Sequence, residues 1–195
     1  MMQPGWMQRG LALAIFAVMG GQASLAWALE FSAERILKDR GKVVVSHVNA
    51  VDDRWRLEYQ QPQADAMAVI VRLDRQVAWL ILSKRRLYLE VPIKKEHLLF
   101  VNTMMEEEVS RERIGTETLN GYPTDLFEVK VSDQGAVREY YQWVTQMHRF
   151  PIKTVSKQGD WSLEYRRVIF TSQSPFLFEL PQRLDRGIPP VESQR

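Results

Sequence analysis

The sequence predicts a mainly β protein built on one large antiparallel sheet or barrel of about ten strands. Three observations carry this reading. Residues 54–59 alternate, with Trp55, Leu57 and Tyr59 on one face and Arg54, Arg56 and Glu58 on the other, which is the period-two signature of a half-solvated antiparallel strand. Turn signals such as Arg40-Gly41, Asn120-Gly121 and Gln158-Gly159 divide the chain into short segments rich in β-branched and aromatic residues. Only residues 95–108 place apolar side chains at helical spacing.

Taken in order, residues 31–37 are short and mixed, and Asp39-Arg40-Gly41 reads as a turn. Residues 42–49, rich in valine, and 54–59 follow as strands, with 60–65 a polar loop around Pro62. Residues 67–73 and 76–82 are separated only by Asp74-Arg75, as in a tight hairpin. Residues 86–91 make another strand, stopped by Pro92. The spacing of Leu98, Leu99, Val101, Met104 and Met105 then predicts a helix over 95–108. Strands resume at 111–118, turn at Asn120-Gly121 and return over 124–131; after Asp133-Gln134-Gly135 comes 136–145. Residues 152–157 and 161–170 form a final hairpin, and 174–181 closes the fold with Phe176 and Phe178 as apolar plugs. Residues 185–195 carry too little apolar content to pack and are expected as a mobile tail. No repeat or linker divides residues 29–184, so one domain is expected there.

The first 28 residues read as a cleavable secretory signal. Arg9 is their one charged side chain, residues 11–19 are an apolar run too short to span a bilayer, and Ala26-Trp27-Ala28 supplies small residues at a cleavage site. With no cysteine in the chain, a lipid-anchored N-terminus is not expected. The mature product is expected to be a soluble protein of the cell envelope with no transmembrane segment. It would hold 167 residues, 25 basic against 24 acidic, a balance that argues against a nucleic-acid partner held by counterion release. Basic runs such as Lys84-Arg85-Arg86 and Lys94-Lys95 are too short for an anionic membrane surface. Stability without disulfides rests on the core alone.

Chemistry-bearing motifs are scarce. His47, His97 and His148 fall on three different segments without an acidic or histidine partner at ligand spacing. No G-x-S-x-G elbow or phosphate-binding glycine loop occurs, and Glu106-Glu107-Glu108 reads as a solvated face. No catalytic set, metal site or cofactor is expected, and the chain is expected not to be an enzyme. What stands out is aromatic. Trp55 with Tyr59, Tyr141 with Trp143, and Trp161 with Tyr165 lie on shared strand faces. Such stripes are more often core than ligand box. Several strands, though, are apolar on both sides, as where Ala68 and Ile70 back Met67 and Val69, which suggests a cavity or a bound partner.

Ile114-Gly115-Thr116-Glu117-Thr118-Leu119-Asn120-Gly121-Tyr122-Pro123-Thr124 resembles the G-x-E-x-hydrophobic-x-G-aromatic hairpin of LolA-like periplasmic proteins. Tyr141-Gln142-Trp143-Val144 with Phe150-Pro151-Ile152-Lys153 is similar to that fold's aromatic-x-W-V and hydrophobic-P-x-K strand pair, and residues 174–181 to its closing segment. The segment 74–83 followed by Leu87-Tyr88 also matches the family's strand, turn, W-x-hydrophobic pattern. The resemblance implies an unclosed, half β-barrel whose concave apolar face is covered by one or two helices, in a periplasmic protein that binds lipid chains or lipoprotein acyl groups or senses them. The chain departs from the carrier in lacking an evident long N-terminal helix, so residues 95–108 would be the lid. Fold analogy alone does not give function.

The function expected is sheltering of a lipid or lipoprotein acyl chain in the half-barrel, with a role in lipoprotein sorting or envelope maintenance. The alternative is a protein–protein or sensor module of the envelope whose cavity its own side chains fill. The cavity is expected to be lined by Trp55, Leu57, Tyr59, Trp79, Ile81, Met104, Met105, Tyr141 and Trp143.

Overall fold

A single sheet holds all twelve strands of the computed structural model, which describes residues 29–133 and 135–189. The strands are β1 (Glu30–Asp39), β2 (Lys42–Val51), β3 (Arg54–Gln63), β4 (Ala66–Arg72), β5 (Val77–Leu82), β6 (Leu87–Val91), β7 (Glu108–Leu119), β8 (Tyr122–Asp133), β9 (Ala136–Thr145), β10 (Pro151–Ser156), β11 (Trp161–Phe170) and β12 (Asp185–Arg186). Their spatial order is β12-β6-β5-β4-β3-β2-β1-β11-β10-β9-β8-β7, and among the described residues β7 and β12 are free edges. The sheet is therefore unclosed, as expected. Every pairing is antiparallel except β12 on β6. The expected signal, residues 1–28, lies outside the described residues. So do 190–195, while Asp185 and Arg186 of the expected tail are paired with Leu87 and Tyr88.

Local chemistry explains the meander. Residues 40 and 41, and again 120 and 121, have positive φ at both turn positions, the twist that two-residue hairpins require and that glycine at the second position permits. β1 is a full ten-residue strand, longer than the mixed composition of 31–37 suggests. It joins the two halves of the meander by pairing with both β2 and β11.

The expected helix over 95–108 is corrected: only Lys95–His97 forms a single 3-10 turn, and residues 98–107 are extended or irregular. The reason is reach. β6 and β7 stand ten inter-strand steps apart, about 48 Å along a flat sheet at ~4.8 Å per step. The sixteen residues 92–107 span roughly 24 Å as a helix and about 50 Å extended. Extension also changes which residues face in. Leu99 and Val101 pack on the core, whereas Leu98 and Phe100 are partly exposed, a period of two.

This strap defines an inner face of the sheet. Beneath it lie Phe31, Ala33, Val48, Trp55, Leu57, Val69, Phe150, Ile152 and Tyr165. Phe31, Phe150 and Tyr165 interlock at ring separations of 4.9–6.0 Å, close to favourable edge-to-face geometry. The outer face of β4 and β5 is also apolar. There the chain covers itself: Ala68, Ile70, Trp79 and Ile81 are packed by Phe178, Leu177 and Leu180 from a short turn at Pro175–Phe178. Of the two expected plugs, Phe178 is 1% exposed and Phe176 87%.

Candidate functional site

The strap does not fill the space under it. A cavity of about 640 Å³ lies between residues 95–100 and the inner faces of β1 to β5 and β11, walled by Leu37, Val44, Val69, Leu80, Phe100 and Trp161. A second, of about 370 Å³, shares Leu98 and Phe100 and extends under Met104 and Met105 to Gln142 and Thr154. Both fall in or near the size range of small-molecule sites, and the first is enclosed mainly by apolar groups.

The strap is pinned from below at three places. The indole N–H of Trp55 donates to the His97 carbonyl at 2.8 Å. The Tyr165 hydroxyl reaches the Phe100 carbonyl at 3.4 Å, and Phe100 packs edge-on to Trp161. Arg111 on β7 donates to the Thr103 carbonyl while paired with Glu108 at 2.8 Å. His97 makes a pin of its own, since its Nδ1 accepts the Lys94 backbone N–H at 3.1 Å, a bond that needs the neutral ring.

Burial holds the His97 imidazole below its ordinary value of 6.5; Glu96 opposes this and Lys94 adds to it. The released strap therefore binds a proton more readily than the docked one, so docking is full above pH 6.5 and weakens as pH falls through that value. Hydrogen exchange of residues 92–107, corrected for intrinsic rates, is expected to report more frequent opening at about pH 5.5 than at about pH 7.5.

The nine residues expected to line one cavity divide between the two faces. Trp55 and Leu57 lie on the inner face, in the core beside the strap, and Tyr59 lines the larger cavity. Met105 packs under the strap on Phe127, Val129 and Val144; Met104 borders the smaller cavity but is 71% exposed. Four expectations are corrected. Trp79 and Ile81 point outward, beneath Phe178. Tyr141 and Trp143 alternate with inward Gln142 and Val144, and their rings carry Lys157 and Lys153 at 5.0 and 5.1 Å. Strand alternation groups residues within one strand, but it does not say which face of the next strand matches.

Sequence reasoning missed a polar row across the inner face, two members of which, Arg35 and Tyr59, line the larger cavity. Cross-strand registers place Tyr165, Arg35, Ser46 and Tyr59 side by side across β11, β1, β2 and β3. Arg35 is 4% exposed and Ser46 fully buried. Burial pushes the Tyr165 hydroxyl up to about 12, against the opposing influence of Arg35, and raises Tyr59 in the same way. The signal was present: Phe31, Ala33, Arg35 and Leu37 share one strand face, so an arginine stands in an inward position.

The histidines occupy three separate places. His47 borders an outer groove with Glu34, Glu58 and Arg167, His97 is in the strap, and His148 stacks on Phe170 at 3.7 Å. Among the described residues, no helix is long and apolar enough to cross a membrane.

No family model and no curated protein matches the sequence. Solved structures do match in fold. MucB superposes with a TM-score of 0.56 at 11% identity, over 80% of this chain and 59% of that one. The Pseudomonas aeruginosa MucA/MucB complex gives 0.53 at 13% identity, over 79% and 56%. The chain thus spans less than two thirds of the MucB chains it matches. The Mycobacterium tuberculosis lipoprotein LppX superposes less well, with a TM-score of 0.37 at 13% identity over 73% of this chain and 88% of that one.

Proposed function

We propose that this chain is a non-enzymatic binding protein of the periplasm that shelters an acyl chain, free or carried by a lipoprotein, between its sheet and its strap. The observation that carries this reading is the unfilled cavity of about 640 Å³ on the apolar inner face, roofed by a strap held at discrete points. Each methylene buried there contributes about 0.8 kcal/mol, so a chain of moderate length binds without any polar motif. The test is uptake of the neutral fluorescent probe N-phenyl-1-naphthylamine and its displacement by a fatty acid. Leu80 lines the cavity and is only partly buried, so Leu80→Trp fills the void with little overpacking. We expect that variant to fold and to lose probe uptake about tenfold. Undiminished uptake in a folded Leu80→Trp protein places the ligand elsewhere.

A second reading, a protein-binding or sensor module, is favoured by the free edge of β7. This twelve-residue strand leaves one side of its backbone unpaired and exposes Val109 and Ile114, a geometry suited to strand addition by a partner. The same fold occurs in a complex of MucB with MucA, which supports a protein partner without identifying one here. This reading expects no co-purifying lipid and a partner recoverable by cross-linking at β7.

A further inference from the structure

The polar row on the inner face has a chemistry that packing does not account for, and two of its members, Arg35 and Tyr59, line the larger cavity. Tyr165, Arg35, Ser46 and Tyr59 lie at one level across four adjacent strands. The levels on either side are apolar: Ala33, Val48 and Leu57 above, Leu37 and Val44 below. All four members offer hydrogen-bond donors. Two of them are unsatisfied: the Arg35 Nε and the Ser46 hydroxyl are buried without a hydrogen-bond partner. Among the described residues, no carboxylate lies within ion-pair distance of Arg35. Asp39 and Glu96 line the same cavity without pairing with Arg35, and Lys42 and Lys95 line it as well.

A buried guanidinium without a counter-ion is costly unless something neutralises it. Its planar array of N–H donors matches a carboxylate in two-point contact. The Tyr59 hydroxyl adds a single donor, kept protonated by burial, whereas the Tyr165 hydroxyl is already given to the Phe100 carbonyl. Arg35 shares the cavity with the apolar wall of Val69 and Leu80, along which a hydrocarbon tail would run.

We infer that Arg35 and Tyr59 form an anion subsite for the carboxylate of a single-chain amphiphile, whose hydrocarbon tail occupies the remainder of the cavity. This rests on the reading of the cavity as an acyl-chain site and assigns its preferred ligand: a free long-chain acid, in place of an esterified or amide-linked acyl group.

The experiment compares dodecanoate with dodecanol as competitors of N-phenyl-1-naphthylamine, on the wild-type protein and on Arg35→Met. The methionine keeps the length of the side chain and removes its charge. We expect dodecanoate to compete at least about tenfold better than dodecanol, and Arg35→Met to abolish that preference, each competitor being read against the variant's own affinity for the probe. We also expect Arg35→Met to raise the melting temperature of the ligand-free protein, since it removes a buried unpaired charge. Should the variant fail to fold, the wild-type preference and that of Tyr59→Phe, expected to be reduced, decide the matter. Equal competition by acid and alcohol overturns the anion subsite and leaves the acyl cavity standing. A preference that survives in folded Arg35→Met overturns the assignment to Arg35. If neither compound displaces the probe, the acyl-chain reading itself falls.

Discussion

Trp55→Ala is expected to lower stability by about 3–5 kcal/mol, the range for removing a large buried aromatic, and to free the strap. Trp55 is buried at the centre of the inner face, and its indole N–H is the donor to the His97 carbonyl. The substitution leaves a void in the sheet core and an orphaned carbonyl in the strap. For a domain of this size the melting temperature falls by roughly 10 °C or more. Trp55→Phe keeps most of the packing and loses only the donor, at about 1 kcal/mol, so it separates the two effects. In both variants hydrogen exchange across residues 92–107 is expected to accelerate beyond the global change. A strap as protected as in the wild type means that the indole hydrogen bond does not hold it. Trp79→Ala is the contrasting control: its ring lies under Phe178 on the other face, so it lowers stability and leaves probe binding per folded molecule unchanged.

Arg72→Ala is expected to release the C-terminal segment from the outer face, at about 2–3 kcal/mol for a buried cation with partly exposed partners. The Arg72 guanidinium is almost wholly buried at the end of β4. It grips both carboxylate oxygens of Asp74 at 2.8 and 2.6 Å, pairs with Glu179, and donates to the Phe178 carbonyl at 3.3 Å. Phe178 itself fills the apolar outer face. Without Arg72, chymotrypsin is expected to cut after Phe178, a site shielded in the wild type. Unchanged resistance there, with an unchanged melting temperature, contradicts the clamp. The hydrogen bonds from Arg72 hold the Asp74 carboxyl below its ordinary value of 3.8. The clamp is therefore complete above about pH 4 and weakens as acid drives the pH below it.

Strand periodicity and turn chemistry made the meander legible: the clean alternation of 54–59 and the Asn120-Gly121 hairpin are local signals, and the sheet preserves them. The strap was not legible, because Leu98, Leu99, Val101, Met104 and Met105 satisfy a helical template, whereas the distance between the two ends of the sheet decides the conformation. That distance is a property of strand order, which single segments do not encode. The two-sided apolar character of β4 and β5 was visible, but its outer half is covered by the chain's own Phe178, with no ligand required. Arg35 was overlooked because its segment looked mixed; its meaning emerges only when Ser46, Tyr59 and Tyr165 arrive beside it from three other strands.

The central claim, that the space beneath the strap holds an acyl chain, is tested most directly by mass spectrometry of organic extracts from the protein, expressed as the full chain in a bacterial host and purified gently. The account predicts a stoichiometric single-chain lipid, displaced in Leu80→Trp. An extract free of lipid, from protein that also takes up no added fatty acid, contradicts it and leaves the free edge of β7 as the working surface.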